Sequence, residues 1–309
     1  MAQEKDKIRV GILRGGDGEH YHISLRKGSD VISHFHEHLY DKYKPVDILV
    51  DKEGVWHIKG VPVEPSKLLY KVDVVWNLSH PRFSNILESH SVKSVGVPAF
   101  SNFFGISRKM LEDRMRKIGI NMPKHLLLPA YQEDFDGPKD KYAIKKAKEV
   151  FEKFGAPWIV KSFTPDSNMG IHLAKTFDEL VRGIMDGIEH EKSILVEELI
   201  PGKVTPVHSV SNFRNQDVYV FPCLPAGMAP GFSKEEKEQL ISTAKNLHKH
   251  IGVEHYLKLD FVLTPRGKIY LLGMDSTPDL RQDSHFHQVC ESVGTKMHKV
   301  VENILEKVL

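Results

Sequence analysis

Between residues 8 and 92, short apolar runs alternate with stretches of helical periodicity. Ile8-Arg9-Val10-Gly11-Ile12-Leu13 reads as a buried strand, and Gly15-Gly16-Asp17-Gly18 forces a turn after it. Leu25, Val31, Ile32, Phe35 and Leu39 then recur at helical spacing, which predicts a helix over 24–40. Strands at 46–50 and 72–76, with a helix at 86–92, continue the pattern. Such alternation buries both faces of the strands only in a parallel sheet flanked by helices.

The grammar changes further on. Helices are expected after Ser107, where Leu111, Met115 and Ile118 share a face and Gly119 stops the run, and over 141–154. Strands at 158–161, 171–174, 193–197, 204–211, 217–221, 256–263 and 268–275 follow. Between them, Thr176-Phe177-Asp178-Glu179 and Ser233-Lys234-Glu235-Glu236 are capping boxes, each opening a helix, the second ending near Gly252. A last helix runs to Leu309. The fold class is therefore α/β, turning to α+β in the C-terminal half. Three units are expected: 1–105, 106–190 and 191–309.

Composition bounds the function. The 40% hydrophobic and 27% charged content is that of an ordinary globular chain. With 43 Lys+Arg against 41 Asp+Glu, bulk nucleic-acid binding is disfavoured. No apolar run suits a membrane span, and no leader is visible, so a cytoplasmic location is expected. Cys223 and Cys290 make no disulfide framework and read as buried small residues. His34, His36 and His38 lack a zinc-site pattern and read as an exposed helix face.

Two segments carry candidate chemistry. Along 257–263 the apolar Leu257, Leu259 and Phe261 alternate with Lys258 and Asp260. If Thr264 pairs with Gly267 across the turn, Asp260 faces Leu271 and Lys258 faces Gly273. Lys258, Asp260, Gly273 and Asp275 then project from one face, where two carboxylates and a lysine could hold Mg²⁺ and a phosphate. A solvated sheet face with an incidental ion pair is the alternative. Directly after Lys161, the polar loop 162–170 could cradle phosphates, although it lacks the Walker pattern and can equally be a plain hairpin loop. A dinucleotide site near Asp51 is disfavoured, because G-x-G-x-x-G is absent.

Taken in order, these pieces resemble the D-alanine–D-alanine ligases of the ATP-grasp superfamily over nearly the whole chain. Gly11 to Gly16 with Ile23-Ser24-Leu25-Arg26-Lys27-Gly28 is similar to the family's opening strand, GG turn and helix start. Ser107-Arg108-Lys109 resembles its M-D-K motif. Trp158-Ile159-Val160-Lys161 with Ser167-Asn168-Met169-Gly170 resembles V-V-K-P and G-S-S-V-G. Leu257-Lys258-Leu259-Asp260-Phe261 resembles G-R-x-D-F, and the stretch from Leu271 to Pro278 resembles L-L-E-x-N-T-x-P-G.

The resemblance implies an ATP-grasp fold with an N-terminal parallel-sheet domain, and a ligase that joins a carboxylate to an amine through an acyl phosphate. It implies ATP and Mg²⁺ as cofactors, small amino-acid substrates, a dipeptide product for peptidoglycan synthesis, and a homodimer as the assembly to test. By that resemblance Lys109, Lys161 and Asn168 contact the nucleotide, and Glu197 binds the adenine amine beside the backbone of Glu198 and Ile200. Asp260 and Asp275 hold Mg²⁺, and Lys258 stabilises the oxyanion. Ser167 and His20 join the catalytic groups, while Glu19 and Ser284 meet substrate.

Several family groups are replaced. The bridging glutamate is Gly273, the metal-binding asparagine Asp275 and the catalytic arginine Lys258. The glutamate that orients the first D-alanine aligns with His20, and the ribose-binding acid with Val204. The H-G-x-x-G-E-D-G segment is missing around Asn77-Leu78-Ser79-His80, and the lid loop shortens to Pro222–Gly227. One firmly held Mg²⁺ and altered substrate selectivity are therefore expected. A catalytically weak nucleotide- or peptide-binding relative is the alternative.

Overall fold

The structure is a computed structural model, describing residues 7–16, 21–80, 82–95, 108–163, 169–225 and 231–309. The chain divides into two compact units, one formed by 1–121 with 202–309 and the other by 122–201.

In the first unit, β1 (Ile8–Gly15) lies between β2 (Tyr43–Val50) and β5 (Val74–Asn77), parallel to both. β6 (Ser94–Val95) extends the parallel edge. The other edge is antiparallel, where the turn at 51–54 leads β2 into β3 (Trp56–Ile58), followed by β4 (Val61–Pro62). Helix α1 (Tyr21–His38) packs on this sheet through Val31 and Phe35, which are buried with Val10, Ile12 and Trp76. Gly15 has φ +89°, and a Cβ there would run into the Val50 carbonyl oxygen, so the turn needs glycine. The turn is tied down further: Ser24 Oγ accepts the Gly15 N–H at 2.9 Å, and Ser79 Oγ donates to the Gly15 carbonyl at 2.5 Å. Helix α2 (Arg82–Ser89) ends earlier than the expected 86–92, because Ser91 turns to φ +55°. α3 (Arg108–Lys117) stops before Gly119, which has φ +76°.

The same unit holds a second sheet, ordered β12-β11-β13-β14 among the described residues and antiparallel throughout. Its strands are β11 (Lys203–Phe213), β12 (Gln216–Val220), β13 (Tyr256–Leu263) and β14 (Ile269–Asp275). The α7 helix (Lys234–Ile251) begins at the Ser233–Glu236 capping box and ends at Gly252 in the left-handed region. The expected single C-terminal helix is two, α8 (His285–Ser292) and α9 (Met297–Val308). Gly294 at φ +65° breaks them, where the left-handed backbone cannot continue a right-handed helix. Tyr256, Phe286, Val300 and Ile304 share one buried core with Val10 of β1 and Phe35 of α1. Cys223 and Cys290 are buried, and desolvation pushes their thiols up to about 11 and about 12, leaving them neutral packing groups.

The second unit is an antiparallel sheet in the order β7-β10-β8-β9, covered by two helices. Its elements are β7 (His125–Leu128), the short α4 (Glu133–Asp136), α5 (Lys139–Lys153), β8 (Trp158–Ser162), β9 (His172–Ala174), α6 (Phe177–Glu189) and β10 (Ile194–Glu198). Both halves of the Thr176–Glu179 capping box form, at 3.2 and 3.1 Å. Ala147, Val150, Leu180 and Ile184 bury against Trp158, Val160 and Val196.

Candidate functional site

The β13–β14 hairpin forms with a different register from the one expected. Thr264 pairs with Lys268, not Gly267, and Gly267 at φ +74° closes a three-residue loop. That extra residue alone would put Asp260 opposite Leu272, and the acids of the two strands on opposite faces. A bulge at Leu272 inserts a second extra residue and flips the remainder of β14 back. Asp260 therefore faces Gly273, and Lys258 faces Asp275. The two errors cancel in facing, so Lys258, Asp260, Gly273 and Asp275 do share one face. Leu257, Leu259 and Phe261 are buried on the other.

On that face Lys258 Nζ lies 3.2 Å from Asp260 Oδ2. Asp275 Oδ2 is 3.0 Å from the ammonium of Lys27, on α1, and Asp275 Oδ1 accepts the Thr277 N–H at 2.8 Å. A Cβ at Gly273 would meet Asp260 Oδ2 at an ordinary 3.8 Å, so side-chain space is open there. The donor set suits a single Mg²⁺, which commonly takes one or two carboxylates and completes its octahedron with water and phosphate oxygens. Among the described residues, no group of three metal-ligating side chains forms a self-contained cage.

On the same face, beside Lys258, runs a hydrogen-bond chain that the sequence did not reveal. His208 on β11 pairs with Lys258, and its Nδ1 is 2.6 Å from the Tyr256 hydroxyl. His208 Nε2 is 2.9 Å from His285 Nδ1, and His285 Nε2 is 3.1 Å from the Leu224 carbonyl. A carbonyl only accepts, so His285 carries its proton on Nε2 and accepts at Nδ1. His208 then donates from Nε2 and accepts the Tyr256 proton at Nδ1. Every group in the chain is neutral. Burial, then the neighbouring His285 and Lys258, holds His208 well below the usual imidazole range. Burial, then Asp275 and Asp260, raises Tyr256 and keeps it a donor. Only strand register and the placement of α8 bring these residues together, so spacing gives no signal of them.

Of the other expected site residues, Ser284 is buried as the N-cap of α8. Its hydroxyl accepts the His287 N–H at 3.1 Å and donates to the Asp279 carbonyl at 2.9 Å. In the second unit Lys161 and Glu197 lie on one face of β8 and β10, diagonally placed, with Nζ 2.5 Å from Oε2. Glu197 is buried. The Glu198 N–H donates to the Lys124 carbonyl at 2.9 Å, and Ile200 follows half-buried in irregular chain. Lys109 lies in α3. Glu19, His20, Ser167 and Asn168 lie outside the described residues.

The histidine run departs from its expectation. His34 is buried, while His36 and His38 are exposed. His34 sits on the core side of α1, one turn from Val31 and next to Phe35, so the helix face that carries it is not a solvent face.

Known proteins are similar to this chain along nearly its whole length. The family model for the D-ala D-ala ligase C-terminus matches residues 225–306, which contain the β13–β14 hairpin. A D-alanine--D-alanine ligase of Aquifex aeolicus is 23% identical over 317 residues, covering 96% of this chain and 100% of its own length. The D-alanine-D-alanine ligase structure from Coxiella burnetii superposes with a TM-score of 0.71 at 15% identity, over 98% of this chain and 95% of that one. The Bacillus anthracis D-alanine--D-alanine ligase complexed with ATP gives a TM-score of 0.67 at 16% identity, over 98% and 97%. No helix among the described residues is long and apolar enough to cross a membrane. Residues 225–306 thus match the D-ala D-ala ligase C-terminus model, the chain is similar end to end to D-alanine--D-alanine ligases at low identity, and it has the fold of the solved D-alanine-D-alanine ligases.

Proposed function

We propose that this chain is an ATP- and Mg²⁺-dependent ligase that joins two amino acids through an acyl phosphate, with D-alanine the first donor to test. The observation that carries the reading is the convergence of Lys258, Asp260 and Asp275 on one sheet face, inside the segment matched by the family model. A donor carboxylate oxygen attacks the γ-phosphorus and ADP leaves. The acceptor amine then attacks the acyl carbon, the C–N bond forms, phosphate departs and the amine loses a proton.

In this reading Asp260 is the carboxylate that takes Mg²⁺, which when bound would neutralise phosphate charge, while Asp275, expected as a second metal ligand, stands beside it paired with Lys27. Lys258 faces the oxyanion as a point charge, without the planar fork of an arginine. Lys161, Lys109 and Asn168 serve the nucleotide, with Glu197 and the backbone at Glu198 and Ile200 at its base. Glu19, His20, Ser167 and Ser284 serve the amino acids. A cytoplasmic location and a homodimer belong to the same reading. The weak-binding alternative is not favoured, because relatives along the full length are ligases by name.

The test is ADP release with ATP, Mg²⁺ and a panel of D- and L-amino acids, with the dipeptide identified by mass. ADP release that depends on an amino acid, and a melting temperature raised by ATP, are expected. Neither ADP release with any amino acid nor a thermal shift at millimolar ATP would overturn the reading.

A further inference from the structure

The two acids of the hairpin are not equivalent. Both oxygens of Asp275 are engaged, Oδ1 by the Thr277 N–H and Oδ2 by Lys27. Asp260 instead contacts Lys258 on its own strand and looks across at Gly273, where side-chain space is open. Lys27 is held by its backbone. One flank of α1 is pinned at Ser24, buried with its hydroxyl on the Gly15 amide, and the next residue after Lys27 is Gly28, where a Cβ would collide with the Arg14 side chain. The lysine thus reaches Asp275 from a helix that is fixed on both sides of it.

We infer that Lys27 is the permanent cation of this site: it holds Asp275 in place of a metal ion, leaves Asp260 to take a single divalent ion, and presents its ammonium to the phosphate oxygens of the ligand. The inference rests on the ligase reading above. Its physical basis is charge. Two carboxylates and two ammoniums sum to zero, so one divalent ion already makes the face cationic toward a polyphosphate. A second ion would have to displace Lys27 from Asp275, and would find no bridging side chain at Gly273. The Lys27–Asp275 pair is itself half-exposed, and the ammonium has three N–H donors, so it can meet a phosphate oxygen while it keeps Asp275.

The experiment counts Mn²⁺ by electron paramagnetic resonance on the full chain with a non-hydrolysable ATP analogue. Wild type binds one Mn²⁺ per nucleotide-loaded chain. Lys27→Glu, which replaces the cation with a carboxylate, binds two, and Lys27→Arg stays at one. Lys27→Met weakens the analogue roughly tenfold, as expected for one charge-assisted phosphate contact. Two Mn²⁺ in wild type overturns the inference without recourse to any variant. So does a single Mn²⁺ in a folded, nucleotide-loaded Lys27→Glu, or unchanged analogue affinity in Lys27→Met. A wild type that binds neither analogue nor Mn²⁺ overturns the ligase reading, and the inference with it.

Discussion

The two units each carry lysine–carboxylate pairs, but the carboxylates differ in burial. In the second unit Lys161 and Glu197 meet at 2.5 Å, with the lysine side chain 31% and the glutamate side chain only 5% exposed. In the first, Lys258–Asp260 and Lys27–Asp275 leave every partner between 33% and 40% exposed. A dry pair is costly to break, because removing one partner strands a charge in low dielectric. A wet pair is worth almost nothing to stability, so its members can exchange partners for a metal ion or a phosphate at small cost. The dry pair sets geometry, and the wet pairs are left for ligand.

The largest effect expected from this contrast is in acid, where the dry histidines of the first unit should fail first. Burial, followed by charge repulsion from His38, His298 and His287, lowers His34 to about 4, and His34 Nε2 finds no hydrogen-bond partner among the described residues. His248, buried between the Ser209 and Ser211 hydroxyls, is also lowered to about 4, chiefly by desolvation. The sign follows from linkage. Below pH 6.5 the unfolded chain takes up protons that these folded histidines refuse, so stability is full above that value and falls as pH drops toward 4. At about 1.4 kcal/mol per pKa unit, each contributes on the order of 3 kcal/mol to the loss by the end of that window. Melting temperatures from pH 7.5 to 4.5 check this. A flat profile would mean that the buried histidines are not held neutral.

Next in size is the dry pair itself. Lys161→Met should cost about 3 kcal/mol in urea denaturation, while Lys258→Met should stay within about 1 kcal/mol. Equal costs would erase the distinction between the two environments. The smallest stability effect is expected at Gly273→Glu, where the open space accepts a side chain and the added carboxylate lies beside Asp260. Its stability should change by about 1 kcal/mol or less, while Mn²⁺ affinity rises. A large stability loss there would show that the face is packed rather than open.

These pairs were unequally legible in the sequence. Alternation along 257–263 placed Lys258 and Asp260 on one face, because a strand's period of two leaves no other choice. The strand boundaries of β13 and both capping boxes were readable for the same local reason. The hairpin register was not, since a left-handed Gly267 and a bulge at Leu272 depend on the whole sheet. β7 escaped notice as four residues between two prolines, too short for periodicity. Lys27, His208 and His285 carry no signal in their own neighbourhoods. What makes them part of the site is the contact of α1 with β14 and of β11 with β13 and α8, which only tertiary packing supplies.

The most direct test sets stability against turnover in a single variant at the wet site. In Asp260→Ala, Mg²⁺-dependent ADP release with ATP and D-alanine should fall below detection, while the melting temperature stays within a few degrees of wild type (~1 kcal/mol or less). ADP release that survives the substitution unchanged would show that this hairpin is not where the metal and phosphates are held.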